Sequence, residues 1–147
     1  MSDRTQHGLN LLMRGILRSP LHRLVSGRVL VISVVGRKTG RLYRYPVGYV
    51  EHDGALLVGT AGKWRRNLRP GEPVTILLRG HRRQASAEVI TDPDRLSTLY
   101  RPILAGNPVH GKYAEIGHAA DGTPDPEDLR RAIDRGIAVV RLTLLER

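Results

Sequence analysis

Short apolar segments bounded by turn-forming residues recur along the chain, and they constrain the fold more than any other feature. Val29–Val35 is a β-branched run between two glycines, which predicts a buried strand. Asp53-Gly54 supplies the positive φ angles of a hairpin turn, so we expect strands Tyr43–His52 and Ala55–Gly59 on either side of it. Strands joined by so short a turn are antiparallel neighbours.

The same pattern predicts three more strands. Pro73–Arg79 and Arg82–Ile90 form a hairpin around Gly80-His81, and Ile137–Leu145 is the last strand. Within the second predicted strand Pro46 has no N–H to donate, which indicates a sheet edge or a bulge. The total is six strands.

Helices are predicted before and between these strands. Apolar residues recur at helical spacing over Leu9–Leu17, within an N-terminal helical segment at 1–26. Asp92 caps a helix over Pro93–Leu104, and Asp125 caps another that runs to Arg135, each with proline at its first position. Ala105–Thr123 is rich in Gly, Pro and His and is interpreted as a functional loop.

The resulting fold class is α+β, with a mainly antiparallel six-stranded sheet that can curl into a small barrel. A length of 147 residues favours one domain, residues 1–147. The chain has no cysteine, which excludes disulfides, thiolate metal sites and a cysteine nucleophile. No apolar run approaches the roughly 20 residues that span a bilayer, so we expect a cytoplasmic protein.

Positive charge is concentrated in the middle of the sequence. Between Arg37 and Arg83 lie 11 basic residues and three acids, a net +8 of the formal +10. Such a concentration indicates one site for an anion. The N-terminal helix also carries arginines, and peripheral membrane contact through it is an alternative to packing on the domain.

Two strings in this basic segment are candidates for binding. In Gly36–Gly40, glycines allow close backbone approach, Arg37 and Lys38 supply charge, and Thr39 supplies a hydroxyl donor. A solvated hairpin turn explains the same residues equally well. In the string Lys63 to Leu68, Trp64 is either a core residue, the interpretation we favour, or a stacking wall.

Side chains typical of protein-borne catalysis are sparse. The six histidines show no metal-ligand spacing and are interpreted as surface or turn residues, and no serine lies in a nucleophile-elbow context. Binding chemistry without catalytic chemistry is typical of a reaction carried by a cofactor.

Taken together, these strings resemble the deazaflavin-dependent nitroreductase family of the split β-barrel flavin-binding superfamily. The resemblance covers about Leu17 to Leu145 and rests on Gly36-Arg37-Lys38-Thr39-Gly40, Pro46 and Lys63-Trp64-Arg65-Arg66-Asn67-Leu68. It implies a split barrel that binds reduced coenzyme F420 and delivers a hydride to a quinone, nitro compound or enone.

The resemblance also implies roles for individual residues. The anionic tail of F420 would be held by Arg37, Lys38, Thr39 and Lys63. The ring and ribityl chain would be lined by Pro46, Thr60, Ala61, Trp64 and Asn67. Tyr100 and Tyr113, near the long loop, are the candidates for substrate contact.

Other functions remain open at this point. FMN could replace the deazaflavin, or the barrel could be a non-catalytic carrier of a fatty acid or other lipid clamped by Arg37 and Lys38. Nucleic-acid binding ranks last because aromatic content is only 4% and no recognition helix is evident, so we expect no nucleic-acid partner. The expected partners are an anionic cofactor and a small apolar acceptor, and the chain is a monomer or a homodimer.

Overall fold

A computed structural model describes residues 29–145 of the chain. It contains seven strands, one short 3₁₀ helix and three α-helices. The strands are β1 Val29–Val35, β2 Leu42–Gly48, β3 Val50–His52, β4 Ala55–Thr60, β5 Val74–Leu78, β6 His81–Ile90 and β7 Ala138–Leu144. The helices are the 3₁₀ helix Lys63–Asn67, α1 Pro93–Gly106, α2 Pro108–Ala114 and α3 Pro126–Asp134. The predicted N-terminal helical segment, residues 1–26, lies outside the described residues.

All seven strands form one antiparallel sheet in the order β2-β1-β5-β6-β7-β4-β3. The prediction of six strands was wrong by one, because the expected strand Tyr43–His52 divides at Tyr49 into β2 and β3. β2 and β3 lie at opposite edges of the sheet although only Tyr49 separates them in sequence. The sheet must therefore curl to bring its two edges together. Pro46 lies in an edge strand, as its missing N–H predicts.

Left-handed residues form the tight turns between strands. Asp53 and Gly54 have φ of 50° and 74° and connect β3 to β4, as predicted. Arg79 and Gly80, with φ of 51° and 81°, connect β5 to β6, one residue before the predicted position. His81 therefore belongs to the strand.

The core has two parts, one on each side of the central strands. Leu56 and Val58 of β4 pack inside the curled sheet, whereas Leu57 between them packs against the helices. Strand β7 divides in the same way, with Val140 inside and Val139 toward the helices. Both strands are therefore buried on two faces, which accounts for their continuous apolar sequences.

The predicted caps of α1 and α3 are confirmed. Asp92 accepts a hydrogen bond from the Arg95 N–H at 2.9 Å, and Asp125 accepts one from the Asp128 N–H at 2.9 Å. The interpretation of Ala105–Thr123 as a loop was wrong in part, because it contains α2. Asn107 caps that helix by accepting from the His110 N–H at 3.2 Å. No helix in the described part of the chain has the length and apolarity to cross a bilayer.

Candidate binding groove

A large groove opens beside the 3₁₀ helix, with a volume of about 1600 Å³. One end is bounded by the β1–β2 loop and the 3₁₀ helix, and we call it the basic end. The other end is bounded by α2 and the C-terminus of α3, and we call it the helical end. The turn that follows β4 lies between them. Five basic residues and one acid, Glu115, line the groove; the basic ones are Arg37, Lys38, Lys63, Arg66 and Arg135.

The β1–β2 loop is tightly closed on itself. The Gly36 N–H donates to the Arg41 carbonyl at 2.8 Å, and the Gly40 N–H donates to the Gly36 carbonyl at 2.9 Å. A side chain at Gly36 would meet Thr39 Oγ1 at 2.7 Å and the Tyr43 ring at 2.8 Å, so the loop requires glycine there. The Thr39 hydroxyl accepts from the Arg41 N–H and also contacts the Tyr43 hydroxyl, both at 3.2 Å.

The 3₁₀ helix fixes this loop from the other side. Asn67 Oδ1 accepts the Arg37 backbone N–H at 3.0 Å, and the Arg37 guanidinium donates to the Arg66 carbonyl at 3.4 Å. Asn67 also lines the groove. Two strings separated by about 30 residues in sequence therefore form one basic surface.

Small residues and aromatic rings form the middle of the groove. The Thr60 hydroxyl accepts the Gly62 N–H at 2.9 Å, and a side chain at Gly62 would meet the Trp64 ring at 2.6 Å. Trp64 is 9% exposed and belongs to the core, with one edge on the groove. Its ring stacks on Tyr45 at 6.1 Å between centroids.

Arginines hold the helical end together. Arg135 donates to the Ala114 carbonyl at 2.8 Å and thereby joins the end of α3 to the end of α2. Arg65 donates to the Gly136 carbonyl at 3.4 Å, which links the 3₁₀ helix to the turn after α3. Tyr113 on α2 is 88% exposed at the groove margin.

A tyrosine–histidine pair lies where β4 meets α2. Tyr100 of α1 is fully buried, and its hydroxyl is 3.0 Å from Nε2 of His110, which lines the groove. Burial raises the pKa of Tyr100 and lowers the pKa of His110. Both side chains lie against Gly59, where a methyl group would come within 2.4 Å of the Tyr100 oxygen.

The structure brings the predicted cofactor residues together. All nine line this groove; they are Arg37, Lys38, Thr39, Pro46, Thr60, Ala61, Lys63, Trp64 and Asn67. Tyr113 lines it as well, but Tyr100 does not, because its side chain is fully buried behind Gly59. A direct substrate contact by Tyr100 therefore does not fit its position.

Sequence reasoning missed His110 and Arg135. His110 was interpreted as a surface or turn residue, yet it is partly buried and bonded to Tyr100. The cap sequence Asn107-Pro108, which places His110 in the first turn of α2, was the available signal. Among the described residues, no group of three or more histidines and acids could hold a metal ion.

The curled antiparallel sheet and its basic lateral groove define a split-barrel protein. Several solved structures are similar to this chain in fold. Their sequence identity to it is low, so the similarity shows the fold alone. An F420-H2 dependent reductase, FDR-A, is 16% identical with a TM-score of 0.53, covering 78% of this chain and 93% of its own. The haem storage protein HutZ from Vibrio cholerae is 14% identical with a TM-score of 0.51, covering 95% of this chain and 92% of its own.

A larger structure shares the fold. A protein of unknown function from Agrobacterium tumefaciens, Atu2129, is 16% identical with a TM-score of 0.56 over 82% of this chain, which spans 50% of that protein's length. No curated protein matches the sequence.

The family is shown by sequence. The family model of the F420H(2)-dependent quinone reductases matches residues 17–120, and the chain belongs to that family. The matched range includes the β1–β2 loop, the 3₁₀ helix, α1 and α2, and hence both ends of the groove except the part contributed by α3.

Proposed function

We propose that this protein is a reductase that uses reduced coenzyme F420 to reduce a small, flat acceptor such as a quinone, nitro compound or enone. The observation that carries the proposal is a single groove whose basic end continues, past a turn of small residues, into the less basic helical end. The chain's membership in the family of F420H(2)-dependent quinone reductases supports the choice of cofactor.

The basic end fits the tail of F420, which combines a phosphodiester with several carboxylates. Arg37, Lys38 and Lys63 would neutralise those charges, and charge-assisted hydrogen bonds are the strongest that such side chains make. The loop that carries Arg37 is closed by its own hydrogen bonds and tied to Asn67. A site that is already ordered loses little conformational entropy when a ligand binds.

The middle of the groove fits a flat ring. Thr60, Ala61 and Gly62 present small side chains, so a ring can lie against the backbone of this turn. Trp64 supports the turn from the core, and Pro46 contributes a rigid apolar surface nearby. When bound there, reduced F420 supplies the hydride; the protein residues bind, orient and shield the reactants.

The size of the groove supports two ligands. About 1600 Å³ exceeds the roughly 300–1,000 Å³ that is usual for one small ligand. With the cofactor at the basic end and the small-residue turn, the helical end remains for the acceptor. Tyr113, His110 and Arg135 are the side chains that could contact it.

Anaerobic titration would test the cofactor assignment. Reduced and oxidised F420, FMN and a fatty acid are each titrated at low salt, with F420 binding followed by its own absorbance and fluorescence. We expect saturable binding of F420, followed by its oxidation when a quinone, a nitroaromatic or a cyclic enone is added. Binding of FMN or fatty acid with no binding of F420 would contradict the proposal. Binding of F420 with no turnover of any acceptor would limit the protein to cofactor binding.

A further inference from the structure

The hydroxyl of Tyr100 bears on which nitrogen of His110 carries the hydrogen. Tyr100 is fully buried, and a buried hydroxyl donates a hydrogen bond wherever an acceptor is available. Among the described residues, the hydrogen-bond partner of this hydroxyl is His110 Nε2 at 3.0 Å. When the hydroxyl donates to Nε2, that nitrogen has no hydrogen of its own.

The imidazole of His110 is then neutral, with its hydrogen on Nδ1. Partial burial opposes protonation of the ring and lowers its pKa. The backbone N–H of His110 is already bonded to Asn107, so the cap interaction does not involve the ring. The charged residues that line the helical end of the groove are Glu115 and Arg135, and Arg135 donates to the Ala114 carbonyl.

Gly59 fixes the position of the pair. A Cβ at this position would lie 2.4 Å from the Tyr100 oxygen and 2.5 Å from His110 Nε2, so both atoms occupy space that only glycine leaves. The two rings also stack, with centroids 5.7 Å apart. The ring of His110 is therefore held in one orientation by β4, α1 and α2 together.

We propose that His110 binds the oxygen of a carbonyl acceptor through Nδ1–H, and that Tyr100 is the positioning residue that fixes the tautomer. The proposal rests on the proposed function, since His110 lines the end of the groove left for the acceptor. A neutral N–H aimed at an oxygen stabilises negative charge as it develops there.

The chemistry balances without a proton from the histidine. The acceptor gains a hydride, the carbonyl π bond breaks, and its electron pair moves to the oxygen that Nδ1–H contacts. Solvent supplies the proton that completes the hydroxyl group, because removing the hydrogen of a neutral imidazole would leave an anion in a partly buried site.

Two substitutions of His110 separate the two ring nitrogens. His110→Asn places an N–H near the position of Nδ1 and does not reach Tyr100. His110→Gln extends to the position of Nε2 and leaves no donor at Nδ1. We expect the first to keep kcat for a quinone within roughly fivefold of the unmodified protein, and the second to lose roughly 10²-fold. The reverse order, or equal losses in two folded variants, would overturn the proposal.

Each substitution is also made together with Tyr100→Phe, which removes the hydroxyl that would otherwise be left unpaired. Thermal melting then shows whether the variants are folded. His81→Asn, in an exposed turn-proximal position, serves as the control and should leave kcat unchanged.

A second readout needs neither cofactor nor turnover. In protein labelled with ¹⁵N-histidine, we expect His110 to show a protonated Nδ1 and an unprotonated Nε2, and Tyr100→Phe to produce a mixture of tautomers. An Nε2–H tautomer in the unmodified protein would overturn the inference even if the enzyme is active. Failure of F420 to bind would instead refute the proposed function, while the tautomer measurement would still stand.

Discussion

The side-chain oxygen of Asn67 accepts the backbone N–H of Arg37 at 3.0 Å, across 30 residues of sequence. This bond joins the 3₁₀ helix to the loop that carries Arg37, Lys38 and Thr39. The Arg37 side chain adds a second link to the Arg66 carbonyl. The basic end of the groove is therefore a connected surface in which Arg37 is held before any ligand arrives.

Asn67→Ala removes the acceptor and should weaken F420 binding about fivefold to tenfold, the equivalent of one hydrogen bond and some loop order. Asn67→Asp is the matched control, because it keeps the acceptor but adds a negative charge beside the anion. The loss of affinity of the Asp variant relative to the unmodified protein should shrink in high salt, which screens that charge, whereas the relative loss of the Ala variant should not. Isothermal titration at two salt concentrations measures both, and unchanged affinity of the Ala variant would contradict the role of Asn67.

Arg37→Ala and Lys38→Ala test the ionic contacts with the cofactor tail. Each should weaken binding about tenfold or more, since hydrogen bonds to charged groups contribute about 1.5–3 kcal/mol. Each should also flatten the dependence of the dissociation constant on salt. Arg130→Ala is the control, because Arg130 contacts Glu127 on α3 and does not line the groove. Equal effects of all three substitutions would show that net charge alone attracts the ligand.

Gly59→Ala should lower the free energy of unfolding by about 1–3 kcal/mol, because its methyl group overlaps the Tyr100–His110 pair. Gly117→Ala is the comparison, where the added carbon would meet Asp128 Oδ2 at 3.3 Å. Adding Tyr100→Phe to the Gly59→Ala variant should restore part of the lost free energy of unfolding, since it removes the nearer of the two overlapping atoms. Denaturant unfolding measures these differences, and equal stability of the two alanine variants would refute the packing argument.

Stability should fall in mild acid because of His110. Its pKa is lowered by burial in the folded protein and lies near 6.5 in the unfolded chain. Above about pH 6.5 both states are neutral. Below it the unfolded chain binds a proton that the folded protein does not, so the free energy of unfolding decreases until the pH reaches the folded pKa.

Unfolding midpoints from pH 8 to pH 5 measure this effect in the unmodified protein and in His110→Asn. The stability difference between the two should shrink as the pH falls, because the variant lacks the titrating group. Parallel curves would mean that His110 does not contribute to the acid sensitivity.

The sequence predicts those parts of the structure that depend on local chemistry. The β-branched run Val29–Val35, the Asp53-Gly54 turn and the cap at Asp92 each carry their own signal within a few residues. The two basic strings are also local, and so their membership of the candidate site could be anticipated. Their mutual contact could not, because the hydrogen bond between Asn67 and Arg37 joins residues that are 30 apart in sequence.

The features that could not be predicted from the sequence depend on contacts between distant parts of the chain. The break at Tyr49 follows from closure of the sheet, and the single glycine before it, Gly48, lies within an otherwise strand-like run. Tyr100 was a candidate for substrate contact because it lies near the presumed loop in a region where the family resemblance implies substrate tyrosines, yet α1 turns it into the core. His110 meets Tyr100 because a short α2 follows α1 directly, and seven residues are too few for a clear helical period.

Strand order also determines when the groove can form during folding. β4, which carries Gly59 and Thr60, pairs with β3 on one side and with β7 on the other, more than 70 residues later in the chain. Such remote pairing is slow, because a long loop must close before the contacts form. While a ribosome is still making the chain, β1, β2, β5 and β6 can pair, but the wall around Gly59 cannot become stable until β7 emerges. Cofactor capture should therefore be among the last events of biosynthesis.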